Sequence, residues 1–170
     1  MFSIEVNDKE VLDALDKLFK RCQNLQPVMR EIGEDITEST KQRFVTATAP
    51  DGTPWAPNST ETTIPHYLGA FGGSHKKDGT LSKRGEARSA AKKPLTGETR
   101  ALKTTINYQL EGTSGVRIGS PMVYAAMQQF GGTKAQFPHL WADIPARPFL
   151  GISDADKTNI LDIVESYLVK

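Results

Sequence analysis

Between Ala47 and Pro94, nearly fifty residues carry almost no apolar periodicity; Pro50, Pro54, Pro57 and Pro65 recur there among glycine, serine and threonine. A stretch that long without regular structure is unusual inside a compact domain and is usually either functional or disordered. The fold must therefore be built from the two ordered ends and must accommodate this insert. Two parts of it differ in character. Residues 50–57, PDGTPWAP, join an Asp-Gly turn to a tryptophan expected to anchor on the core. Residues 72–93, GGSHKKDGTLSKRGEARSAAKK, read as a mobile arm. With 170 residues in total, the chain has room for one domain over 1–170 carrying such an arm, and not for two full domains.

The ordered ends are periodic. FSIEV at residues 2–6 alternates Phe2, Ile4 and Val6 with Ser3 and Glu5, the pattern of a half-buried strand, and Asn7 or Asp8 can cap a helix after it. Val11, Leu12, Leu15, Leu18 and Phe19 then recur at helical spacing opposite Asp13, Asp16, Lys17 and Lys20, which predicts an amphipathic helix of about four turns. Pro27 suits the first turn of a second helix, whose apolar positions are Val28, Ile32, Ile36 and Phe44. Gly33 lowers its helix preference by about 1 kcal/mol relative to Ala. Long apolar stripes like these could form a partner-binding surface, but both are expected to pack on the protein's own sheet.

After Leu95, TGETRALKTTINYQLEG reads as a helical turn followed by a strand over Thr104–Leu110, with Ile106, Tyr108 and Leu110 on one face. GVRIGS from Gly115 is a second strand, and a hairpin is the natural link. Pro121 stands at a helix start, with Val123, Tyr124, Met127 and Phe130 as the apolar face and Gly131-Gly132 as the stop. Ser153 caps a last helix; Asp154 and Asp156 suit its positive end, and Ile160, Ile163, Val164, Tyr167 and Leu168 form its stripe. This order predicts an α+β fold. It comprises an N-terminal strand and two helices, a small antiparallel sheet with C-terminal helices packed on it, and a long irregular central loop.

No constellation for catalysis assembles from these residues. There is no phosphate-binding glycine loop, no paired-histidine zinc motif and no nucleophile elbow. Accordingly, the expectation is a protein without catalytic residues, metal or cofactor. His66, His75 and His139 read as solvated loop histidines, and the lone Cys22 as an inert thiol that cannot close an intramolecular disulfide. No apolar run approaches the roughly 20 residues that span a bilayer, and the start lacks signal-peptide character, so a soluble cytoplasmic product with no membrane partner is expected.

The clearest anomaly is electrostatic. Formal net charge is only +1, yet residues 75–93 hold Lys76, Lys77, Lys83, Arg84, Arg88, Lys92 and Lys93 against Asp78 and Glu86, a local net of +5. Residues 1–45 and 153–170 each carry −2. A basic arm on a mildly acidic body can contact phosphates in a salt-sensitive way, or dock on an acidic partner surface and become ordered there. It lacks interleaved aromatics for stacking single-stranded bases.

Several segments together resemble the phage virion morphogenesis family, the tail-completion proteins of long-tailed phages. They are Arg43-Phe44 followed by PDGTPWAPNS, then PLTGETRALKTTI at 94–106, VRIGSPMVYAAMQQFGG at 116–132 and IPARPFLGIS at 144–153. The resemblance covers about half the chain in the expected order and departs from it over the long basic stretch between Ile64 and Lys93. It implies a non-enzymatic structural protein that completes or terminates the tail and enables head-tail joining. The implied assembly is a ring homo-oligomer, commonly a hexamer, that contacts tail tube and head-tail connector proteins and, at the junction, DNA. The implied location is the virion neck, with assembly in the bacterial host cytoplasm. The alternative reading is a nucleic-acid-binding accessory protein using the basic arm. Framework positions of the matching motifs are Gly52, Trp55, Leu95, Gly97, Tyr124, Phe130, Gly131, Arg147, Pro148 and Phe149. Among these, Gly97 is expected to relax the backbone entering the sheet, Tyr124 and Phe130 to bury one helix face, and Arg147 to make an ion pair while Phe149 anchors the last helix.

Overall fold

A computed structural model of the chain describes residues 8–97, 99–140 and 142–169. The strand expected over 2–6 lies outside them. In chain order the elements are α1 (Lys9–Gln23), α2 (Gln26–Thr46), α3 (Thr63–Gly69), α4 (Lys83–Ala91), α5 (Ala101–Thr104), β1 (Asn107–Glu111), β2 (Gly115–Gly119), α6 (Ala125–Phe130) and α7 (Asp154–Val169). The architecture is α+β, but α3 and α4 fall inside the segment predicted to be irregular. Both are short, and a single turn or two of weakly periodic sequence gives no reliable apolar pattern.

The spine is α2. Pro27 occupies its first turn, where its missing N–H costs nothing. One side of α2 meets the hairpin. β1 and β2 pair antiparallel with Tyr108 opposite Ile118 and Leu110 opposite Val116, and Gly112 makes the turn at φ +64°. A two-stranded ribbon is marginal by itself, so its stability depends on α2. Gly33 shows how close the two lie: a Cβ there would come within 2.6 Å of the Tyr108 ring and 2.9 Å of Val116. The glycine that weakens the helix locally is what lets the sheet approach it.

Two groups of buried side chains result. Val28, Ile32 and Ile36 of α2 pack with Val116 and Ile118 of the sheet and with Ile160, Ile163, Val164 and Tyr167 of α7. Toward the C-terminal end of α2, Phe44 joins Ala49, Trp55, Leu102, Ile106, Ala125 and Phe149. The rings of Phe44 and Trp55 meet edge to face at 5.2 Å, and Phe149 is wholly buried.

The expectation for α1 is corrected. Its stripe does not pack on the sheet: Val11, Leu12, Leu15 and Phe19 are 55–61% exposed, and Leu18 is 38% exposed. The helix touches the body near its end, where Arg21 Nη1 donates to the carbonyls of Tyr167 (3.2 Å) and Leu168 (3.0 Å) and Tyr167 Oη donates to Asn24 O (2.7 Å). Asp8 stands at the N-cap position, but its side chain makes no capping bond. The α6 face is corrected too, because Val123 is fully exposed, Tyr124 44% and Phe130 78%. Ala125 is the buried residue of that helix.

The polar centre of the fold was absent from the sequence expectations. Arg43 and Asp156 are 5% and 3% exposed and form an ion pair of 2.5 Å between Nη2 and Oδ2. Arg43 Nη1 also donates to Phe149 O (2.9 Å) and Gly151 O (2.8 Å), and Nη2 to Ser39 Oγ (3.3 Å). Asp156 accepts from Ser39 Oγ (2.6 Å) and from Ser153 N (2.7 Å), while Ser153 Oγ accepts from Asp156 N (3.1 Å), a reciprocal cap at the start of α7. Burial disfavours the charge on Asp156, but the hydrogen bonds from Ser39 and Ser153 and the Arg43 charge outweigh it and hold the carboxyl below its ordinary range. Burial also lowers the Arg43 pKa, against the pull of Asp156.

Replacing Asp156 with Asn leaves Arg43 buried without its counter-charge and is expected to cost about 3–5 kcal/mol in urea unfolding. The sign with pH is set by the depressed carboxyl. The ionic contribution is complete above the unfolded value of about 3.9 and is lost as pH falls through the lower folded value. The stability gap between wild type and Asp156→Asn should be flat above about pH 5 and should narrow below about pH 4.

Candidate functional site

The basic residues singled out in the sequence are brought together on a folded element rather than on an irregular arm. Asp78-Gly79-Thr80 makes a turn in which Asp78 Oδ1 accepts from Thr80 N (2.9 Å) and Thr80 Oγ1 (2.7 Å), with Gly79 at φ +84°. Those bonds hold the Asp78 carboxyl below its usual range. The turn closes a bridge between His75 and Leu81, and Ser82 Oγ then caps α4 by accepting from Gly85 N (3.1 Å). An identical arrangement occurs at Asp51-Gly52-Thr53, where Asp51 Oδ1 accepts from Thr53 N and Oγ1 and Gly52 also has φ +84°. The sequence Asp-Gly-Thr occurs in both places, so the second turn could have been read from the first.

The element rests on α3. Ile64 and Leu68 are buried, Ser74 is 1% exposed, and a Cβ on Gly85 would come within 2.1 Å of Ser74 O. Helix α4 can therefore pack here only with glycine at that position. Arg88 lies 4.9 Å over the Phe71 ring and donates through Nη1 to Gly72 O and Ser74 Oγ, each at 3.0 Å. It is thus a packing residue. By contrast, Lys76, Lys77, Lys83 and Arg84 are exposed.

A groove of about 860 Å³ runs between this element and the end of α2. Lys92, Lys93, Arg100 and Lys103 line it together with Tyr67, Phe71 and Phe44, and no carboxylate lines it among the described residues. Lys92 Nζ sits 4.4 Å over the Tyr67 ring and donates to Thr96 O; Lys93 Nζ donates to Val45 O (2.6 Å). Sequence reading missed Arg100 and Lys103, which lie beyond the basic run, and it missed Tyr67 and Phe71, which come from α3 and the residues just after it. A separate depression of about 460 Å³ on α2 and α7 is lined by Glu31, Glu34, Asp35, Glu38 and Asp162. Charge is therefore segregated on the surface as well as along the chain.

Trp55, Arg147 and Phe149 of the motif framework are buried, whereas Gly52, Gly97, Tyr124 and Phe130 are exposed. Trp55 is 6% exposed and donates from Nε1 to Pro148 O (2.8 Å). Arg147 is buried but makes no ion pair among the described residues. Its Nε donates to Ala56 O and its Nη2 to Pro57 O, both at 2.8 Å, and burial lowers its pKa. The expected salt bridge is thus replaced by two carbonyl acceptors that hold the PWAP segment. Leu95 is half-buried at φ +55° and packs against the Phe44 group. Gly97 has no positive φ, and a Cβ there would meet nothing; the left-handed positions are Leu95 and Arg100. Gly131 does have a backbone reason: at φ +71°, a Cβ would come within 2.6 Å of Ala146 N. His66, His75, His139 and Cys22 are exposed and scattered. Among the described residues, no group of three or more His, Cys, Asp or Glu could hold a metal ion.

Comparison with known proteins adds identity to this geometry. The profile of the phage virion morphogenesis family matches residues 6–169. The Mu-like prophage FluMu G protein 2 of Haemophilus influenzae is 25% identical over 168 residues, covering 98% of this chain and 96% of that protein. Protein G of Escherichia phage Mu, named for capsid assembly, is 43% identical over 47 residues, which span 28% of this chain and 30% of the Mu protein. No solved structure matches.

Because Arg88, unlike Lys83 and Arg84, is tied into the packing of Phe71 and Ser74, Arg88→Ala should loosen the element and Lys83→Ala with Arg84→Ala should not. Hydrogen exchange over residues 72–91 should speed up by about one order of magnitude in the first variant, equivalent to about 1–2 kcal/mol, and stay at the wild-type rate in the second.

Proposed function

The chain belongs to the phage virion morphogenesis family, and from that membership we propose that it is a structural, non-enzymatic protein that completes the tail and readies it for joining to a filled head. The observation that carries the reading is the division of its surface. Lys76, Lys77, Lys83 and Arg84 are exposed on α4 and its turn, and none of them lines the acidic depression on α2 and α7. A contact between two different patches on copies of one chain is heterologous, and such contacts close into rings when the rotation allows. The basic element of one subunit set against the acidic face of the next would build such a ring, with six-fold closure the expected count. The remaining exposed faces would be available to tail tube and connector proteins. The basic part of the central insert, residues 75–93, supports the same reading, because it adds charged surface and contributes no apolar side chain to the buried core, which suits contact rather than stability.

A second reading rests on the groove. Four cations around aromatic side chains, with no carboxylate among the described lining residues, fit the phosphate backbone of DNA passing the junction. It predicts duplex binding by the free protein that falls steeply with salt and is lost in Arg100→Ala with Lys103→Ala.

Electron microscopy of particles made without this protein tests the principal reading. Tails of normal length beside unjoined filled heads are expected. Overlong tails would instead assign it to length termination, and normally joined, infectious particles would overturn both roles.

A further inference from the structure

We propose that the groove beside α3 is filled by the outer face of α7 from a second copy of this chain, with Leu161 on its apolar floor and Glu165 against Arg100 and Lys103. This deepens the ring reading above and rests on it, because it names which side chains of one subunit meet which of the next. The starting observation is the make-up of the groove. Lys92, Lys93, Arg100 and Lys103 come to it from the end of α4 and from α5, and no carboxylate lines it among the described residues; Glu98 lies outside them. Under these cations, Phe44 is buried and Tyr67 and Leu95 are half-buried. An apolar floor beneath a charged rim is the anatomy of a protein–protein contact.

The occupant must therefore present carboxylates and an apolar side chain together. Bases do not meet that need, and the ring faces are already taken: Lys92 lies over Tyr67 at 4.4 Å and Arg88 over Phe71 at 4.9 Å. The outer face of α7 does meet it. At 100° per residue, Leu161, Asp162, Glu165 and Val169 fall within about 100° of arc, turned away from Ile160, Ile163 and Tyr167 on the packed side. Leu161 is 68% and Val169 79% exposed, and neither Asp162 nor Glu165 makes an ion pair among the described residues. Asp154 at the start of this face is already held by Lys157 at 2.7 Å. On α1, by contrast, the charges lie about 100–160° from Leu15, away from its apolar stripe, so that helix does not offer the combination.

From Leu161 to Val169 the helix advances about 12 Å, so the groove would receive side chains from two turns rather than the helix itself. Such a ridge is smaller than the roughly 800 Å² per partner of a stable interface. The rest is supplied next to it. Asp162 also borders the acidic depression that Glu31, Glu34 and Glu38 line on α2, and α4, whose last turn edges the groove, exposes Lys83 and Arg84. Groove and ridge are different surfaces of one chain, so the contact is heterologous, as a ring requires.

Charge reversal tests the pairing in phage particles whose only copy of the protein is the variant. Arg100→Glu with Lys103→Glu, and Asp162→Lys with Glu165→Lys, should each lower the yield of joined particles about tenfold or more, and the chain carrying all four changes should recover most of it. Recovery separates this contact from DNA binding, since cations placed on α7 would not rebuild a phosphate site in the groove. Each variant is first checked for an unchanged circular-dichroism melt, and Arg100→Glu alone, at an exposed position, replaces the pair if Lys103 is needed for folding. In a Cys22→Ser background, Lys103→Cys with Glu165→Cys should give a ladder of covalent multimers when joined particles are treated with a short bismaleimide, and either cysteine alone should give none. Failure of the combined variant to recover, joined particles without a ladder, or cross-linking through one cysteine alone would overturn the proposal. Normal joining without the protein would overturn the principal reading instead. The same treatment of the purified chain at about 100 µM then decides the contact by itself, a ladder supporting it and none overturning it.

Discussion

The structure is organised around one buried guanidinium. Arg43 leaves α2 two turns below Ile36 and is met by carbonyls of Phe149 and Gly151, the hydroxyl of Ser39 and the carboxylate of Asp156. A buried charge is tolerable only when it is paired and its donors are satisfied, and the acceptors here come from three separated parts of the chain. Their convergence fixes the start of α7 against the end of α2 and holds the segment 147–151 between them. That short segment is used at nearly every residue. Arg147 holds the carbonyls of Ala56 and Pro57, Pro148 accepts from Trp55, Phe149 fills the core, and the amides of Phe149 and Leu150 donate to Gln129 Oε1 at 3.0 Å. The two ends of the chain are thus joined to the proline-rich turn through one strip of backbone.

Much of this scaffold was legible in the sequence. Helical spacing located α1, α2 and α7, alternation around Ile106 and Tyr108 located the hairpin, and Asp51-Gly52 located the turn that carries Trp55. What periodicity could not reveal is what covers a face. The stripe of α1 is as regular as that of α7, yet one is exposed and the other packs on α2. The Arg43–Asp156 pair was hidden for a related reason. Each residue reads as an ordinary helical charge, and only the fold brings together positions 113 apart in sequence. Gly33 looked like a helix weakness until Tyr108 was placed against it. Helix α4 was hidden by its composition, since Lys83 to Ala91 carries no apolar side chain larger than alanine and is held by Arg88 on Phe71 and by Gly85 on Ser74.

The same physical division separates stability from function. Large aromatic and buried polar groups concentrate along α2, whereas the surface is left with three unlike features: an apolar helix face on α1, a basic element around α4 and an acidic depression on α2 and α7. The titratable groups are sorted by sign, with cations around the groove beside α3 and carboxylates on α2 and α7. The near-neutral total charge conceals this division, because the basic and acidic surfaces cancel in the sum while remaining apart in space.

The proposed role makes the chain an assembly subunit of the tail's upper end. A cryo-electron microscopy reconstruction of the neck of intact particles should then show a ring of this chain between tail tube and head connector, with the α4 element of each subunit against the α2–α7 face of the next. Its absence from the neck, or its placement in the capsid shell, would overturn that role.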